Sequence, residues 1–143
     1  MIARGRTDSV ELALRAAVAA LTVATAAIHF SLGSLLFTLN GLAYATLAVA
    51  LVAPIGIGNR FRWLVRLALL GFATMTIAGW VAFGARYDVA YLDKGIELLL
   101  ISLLFADIRR ADGGIVTSVR RLIGLAAALL SWRPAKTAEA GSK

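Results

Sequence analysis

From Ala16 to Asn59 the chain runs 44 residues without an Asp, Glu, Lys or Arg. A helix needs about 20 predominantly apolar residues to cross a bilayer, so this run predicts two membrane spans joined by a short turn. A second uncharged run, Leu67 to Ala85, predicts a third span. A fourth stretch, Val89 to Ala106, is apolar except for Asp93, Lys94 and Glu97. The pattern predicts an all-α integral membrane four-helix bundle with spans at about 12–30, 35–53, 63–85 and 89–106.

The flanks complete the layout. Residues 1–11 are polar and read as a cytoplasmic lead, 12–107 as the membrane domain and 108–143 as a basic cytoplasmic tail. Arg4 and Arg6 followed by Ala24-Thr25-Ala26 form a competing pattern, that of a cleavable signal. Arg15, Asp8 and Glu11 interrupt that pattern and favour a retained first span. Small residues four apart suggest close-packing faces, Ala16, Ala20 and Ala24 in span one and Gly41 and Ala45 in span two, and Gly71, Thr74, Ala78 and Gly79 are available for packing in span three. Pro54, Gly56 and Gly58 mark the end of span two.

In the tail, Ile115, Val116, Val119, Leu122, Ile123, Ala126, Leu129 and Leu130 recur at helical spacing. Arg120, Arg121, Gly124 and Ser131 take the other face. An interfacial amphipathic helix over 115–132 follows, with Arg120 and Arg121 facing lipid or a partner and Trp132 as an anchor. Trp63 and Trp80 suit the inner and outer interfaces in the same way.

Composition agrees: 60% of the 143 residues are hydrophobic and the mean hydropathy is +0.83. The net charge of +7 is not a nucleic-acid signal, because 13 of the 15 Lys and Arg lie in three groups. These are Arg4, Arg6 and Arg15; Arg60, Arg62 and Arg66; and the seven beyond residue 108. Cytoplasmic loops are enriched in Lys and Arg, so this distribution places both termini on the cytoplasmic side, and the Ala- and Arg-rich usage points to a prokaryotic inner membrane. The chain has no Cys and a single His, which excludes thiolate sites and any multi-histidine metal or haem site within one chain.

Charges within a span cost roughly 2.5–3.5 kcal/mol each at the helix centre. Span four carries three, and Asp93, Lys94 and Glu97 share one helical face at spacings of three and four. A Lys94–Glu97 pair would leave Asp93 to find another partner. With both termini inside, these residues fall in the outer half, at the level of His29 and of Asn40, about five residues or roughly 8 Å below the surface. His29, Asn40, Asp93, Lys94 and Glu97 therefore form the candidate site, a polar cluster facing an outward-opening pocket, above an inner half that reads as almost wholly apolar. Asp93 and Glu97 with His29 are also a conceivable hard-metal ligand set, although the sequence calls for no metal or cofactor.

Two stretches, Ile28-His29-Phe30-Ser31-Leu32-Gly33 running into Leu39-Asn40-Gly41-Leu42-Ala43-Tyr44, and Asp93-Lys94-Gly95-Ile96-Glu97, resemble small four-span membrane proteins of bacteria and archaea. The resemblance covers residues 12–106 and implies the four-helix architecture without carrying an activity.

No phosphate-binding glycine loop and no nucleophile elbow occurs, so the chain does not read as an enzyme. The first functional reading is an accessory or interaction subunit of a membrane complex, partnered by the bilayer and by larger subunits or other copies of itself. The second is a small oligomeric transporter or ion-coupled carrier that uses the intramembrane cluster. An enzyme acting on a lipid or quinone at the outer leaflet is the third.

Overall fold

A computed structural model describes residues 2–53 and 56–131, with side chains for 9–53 and 61–131. Five helices account for nearly all of it: α1 Ile2–Ser31, α2 Leu35–Val52, α3 Gly56–Phe83, α4 Asp88–Ala111 and α5 Ile115–Ser131. No strand occurs among the described residues. Three helices are long and apolar enough to cross a membrane, at Ser9–Ser31, Leu35–Val52 and Phe61–Phe83. α4 is not among them, because its most apolar stretch still holds Asp93, Lys94 and Glu97.

Helix boundaries extend beyond the apolar runs. α1 continues back through the polar lead, and α3 begins at Gly56, so Gly56 and Gly58 are helical rather than part of the break after span two. Pro54 lies outside the described residues, as does Trp132.

The turn between α1 and α2 passes through Gly33 at φ +69, a conformation that costs most side chains energy. Ser34 then caps α2 by accepting from the Phe37 N–H. These features fold α2 back onto α1 at close range. A Cβ on Gly41 would lie 3.0 Å from the Phe30 ring and 3.1 Å from the Ala26 carbonyl oxygen. α1 packs on α2 and α4, and α3 packs on the same two helices, so the four surround one core. Val18, Tyr44, Leu51, Leu69, Leu100 and Leu104 are fully buried there. On α4 the inward positions are Ala90, Asp93, Lys94, Glu97, Leu100, Leu104, Asp107 and Ile108. That face is polar at both ends and apolar between them.

Two expected packing faces are displaced. Ala16 and Ala20 are exposed, and α1 instead turns Val18, Thr22, Thr25, Ala26 and His29 inward. Gly71, Thr74, Ala78 and Gly79 are exposed as well, while Leu69, Leu70 and Ala73 supply the core of α3. The larger inward side chains fill volume that small ones would leave empty. Gly41 and Ala45 do face the core as expected.

The inner end is not wholly apolar. Arg66, read from sequence as a solvated loop charge, is 3% exposed. Its Nε donates to Asp107 Oδ2 at 2.6 Å and its NH1 donates to Asp112 at 3.3 Å. This ties α3 to the end of α4. Burial pushes the Asp112 carboxyl above the ordinary carboxylate range, and the Arg66 charge opposes that shift. α5 meets the rest of the protein through its first turns, where Ile115 packs on the core and Ser118 is fully buried. Beyond them Leu122, Ile123, Leu129 and Leu130 are exposed, so its apolar stripe stays uncovered. Arg120 and Arg121 are exposed too.

Removing Arg66 strands the buried Asp107 carboxylate, whose Oδ1 already has no partner. Arg66→Leu is expected to lower stability by about 3–5 kcal/mol, whereas Arg121→Leu, at an exposed site, changes it by less than about 0.5 kcal/mol. Denaturant unfolding of both variants in detergent measures the difference.

Candidate functional site

The site is built at the end of the bundle where α1 turns into α2 and α3 into α4. Asp93 and Glu97 stand one turn apart on the inward face of α4, which brings their carboxylates to the centre of the packing. Lys94, between them in sequence, curls over the pair. Its Nζ lies 2.9 Å from Asp93 Oδ2 and 2.6 Å from Glu97 Oε2. One ammonium thus bridges two carboxylates. Asp93 is 3% exposed, Lys94 7% and Glu97 0%.

Each remaining carboxylate oxygen is met by another helix. Tyr44 of α2 donates from Oη to Glu97 Oε1 at 2.8 Å, and Thr76 of α3 donates to the same oxygen at 2.9 Å. Thr25 of α1 donates from Oγ1 to Asp93 Oδ1 in a short hydrogen bond. Buried ions in a helical protein keep their charge only when such donors replace water.

His29 is 2% exposed, one turn beyond Thr25. Its Nδ1 lies 2.9 Å from the Thr25 carbonyl oxygen and 3.6 Å from Asp93 Oδ1. A carbonyl only accepts, so Nδ1 carries a proton and donates it to Thr25. No hydrogen bond to Nε2 occurs among the described residues. The imidazole is boxed by Tyr44 at 5.5 Å and Phe37 at 6.0 Å between ring centroids.

Above the cluster lies a cavity of about 490 Å³. His29, Asn40, Asp93 and Lys94 line its floor and Phe37, Phe72, Met75, Trp80 and Phe83 are among its walls. The five residues expected from sequence therefore do meet at one level, but in two ways. His29, Asp93, Lys94 and Glu97 form one bonded network, and Asn40 is half-buried beside it and lines the cavity without a hydrogen bond to the network among the described residues. Trp80 does more than face an interface. Its Nε1 donates to the Ala85 carbonyl at 3.0 Å, its ring meets Tyr91 edge-on at 5.2 Å, and Arg86 sits 4.1 Å above it. It closes the turn between α3 and α4. Trp63, at the far end of α3, is half-buried.

Sequence reasoning missed Thr25, Tyr44, Thr76 and the Arg66 pair. Thr25 stands four before His29, and Tyr44 four after Asn40. That shared-face spacing was the available signal.

His29, Asp93 and Glu97 offer ligand atoms all within 4.8 Å of one another. A metal would need the space between the two carboxylates, and the Lys94 ammonium is bonded to both of them. The donor set therefore suits a lysine-bridged acid pair better than a metal centre. The chain matches no known family, no curated protein and no solved structure.

Thr22 and Thr25 give an internal comparison. Both are fully buried, but Thr22 bonds only the Val18 carbonyl of its own helix. Thr25→Val is expected to cost about 1.5–3 kcal/mol, the range for a hydrogen bond to a charged group. Thr22→Val should stay within about 0.5 kcal/mol of the parent. Paired unfolding curves in detergent decide it.

Proposed function

We propose that the chain is a multi-pass protein of a prokaryotic inner membrane, with four spans, both termini cytoplasmic, and an accessory or interaction role in a larger membrane complex. In this reading α4 is the fourth span. Its charges turn inward and are paired, which removes most of the insertion penalty that the sequence alone implies.

One observation carries the accessory role over transport. Glu97 and Asp107 mark the polar groups at the two ends of α4, ten residues or about 15 Å apart. The inward residues between them include Leu100 and Leu104, both fully buried, against Leu51, Leu69 and Ala73 of the neighbouring helices. An ion or proton has no relay of polar groups across this layer within one chain. The cluster instead behaves as a lock that sets the positions of four helices, as polar contacts between membrane helices do.

Two further features support association. Ala16 and Ala20 on α1, and Gly71, Thr74 and Ala78 on α3, leave small-residue faces on the outside, where another helix can approach closely. The uncovered apolar stripe of α5, with Arg120 and Arg121 beside it, suits the cytoplasmic membrane surface. No catalytic role is proposed for any residue.

The carrier reading keeps one argument, the cavity that opens above buried acids. It requires a path formed between copies of the chain, since none crosses the core of one.

Purification from native membranes in mild detergent tests the first reading. A stable assembly with larger subunits is expected, and Glu97→Gln should leave that assembly largely intact. A pure homo-oligomer whose proton-coupled uptake in reconstituted vesicles is abolished by Glu97→Gln would instead establish the carrier. For orientation, a reporter fused after residue 143 should score cytoplasmic and one inserted at the Arg86–Asp88 turn external. The opposite pair refutes the topology.

A further inference from the structure

The cluster holds two acids against one ammonium. The carboxylates of Asp93 and Glu97 share the Lys94 Nζ, with the His29 imidazole beside Asp93. Among charged residues near the rim, Arg86 and Asp88 offset each other and are exposed. A buried carboxylate favours a cation that can reach it, because water is not there to compensate.

The cavity decides what kind of cation that is. Its floor presents Asp93, His29, Asn40 and the Lys94 side chain that holds the far oxygen of Asp93, and its walls present Phe37, Phe72, Trp80 and Phe83. Aromatic faces attract cations and also accept apolar groups. The opening lies to the side. Leu36 of α2 and Met75 and Phe83 of α3 line the cavity and are 65%, 75% and 94% exposed. In the membrane reading proposed above, on which this step rests, those residues face lipid. The ligand therefore arrives from the bilayer and must be soluble in it.

We propose that this cavity binds a hydrophobic organic cation, such as a quaternary ammonium or phosphonium compound, with its charge over Asp93 and its apolar groups among the aromatic walls. The resident competitor is the Lys94 ammonium, bonded to Asp93 Oδ2 at 2.9 Å. His29 borders the cavity on the other side of Asp93, at 3.6 Å, with the Tyr44 ring of α2 behind it.

The experiment measures tetraphenylphosphonium binding to the full chain in a non-ionic detergent, corrected for micelle partition, with triphenylphosphine oxide as the uncharged comparison. Saturable binding of the cation alone is expected. Asp93→Asn should weaken binding by about tenfold or more, and Lys94→Met, which removes a positive charge, should strengthen it. The comparison of the charged with the uncharged compound uses the unaltered protein and so does not depend on either variant folding. Equal binding of the uncharged compound, or no saturable binding, overturns the proposal. Failure of the membrane reading would appear separately, as a chain that stays soluble without detergent.

Discussion

One carboxylate organises the end of the bundle that carries the α1–α2 and α3–α4 turns. Glu97 is fully buried, and every one of its hydrogen bonds comes from a different part of the fold: Tyr44 on α2, Thr76 on α3, and Lys94 on its own helix. An unpaired carboxylate in that place would cost several kcal/mol, so the helices are held where their donors reach it. Lys94 then passes the constraint to Asp93, and Thr25 and His29 pass it to α1. Four helices are registered by one chain of polar contacts. At the other end Arg66 does the same for α3 and the α4–α5 junction through Asp107 and Asp112.

The apolar layer between the two polar ends gives the architecture its functional character. It seals the core, so the cavity is a pocket with a floor rather than a passage. The floor is polar because the lock is there, and the groups that fix the helices, His29, Asp93 and Lys94, also line the cavity.

Much of this was legible in the chain. The uncharged runs located α1, α2 and α3, and the three charges within an otherwise apolar stretch located the cluster on α4. Depth could be counted from the turns, which brought His29 and Asn40 to the right level. Bonding could not be counted in the same way. Threonine and tyrosine carry no charge signal in a membrane helix, so Thr25, Tyr44 and Thr76 stayed silent until their geometry was known. Arg66 was hidden by its neighbours Arg60 and Arg62, which made it look like one more cytoplasmic charge. The small-residue faces misled because spacing of four identifies a face without saying whether it turns inward or outward.

The central claim is that Glu97 couples α2 to α4 energetically as well as sterically. A double-mutant cycle joining Tyr44→Phe and Glu97→Gln, read from reversible unfolding in detergent, tests it most directly. The account predicts an interaction energy of about 1 kcal/mol or more, since Tyr44→Phe removes the donor and Glu97→Gln removes the charge that strengthens the same bond. Additivity within about 0.3–0.5 kcal/mol would contradict it, and would leave the bond between Tyr44 and Glu97 as a contact without consequence.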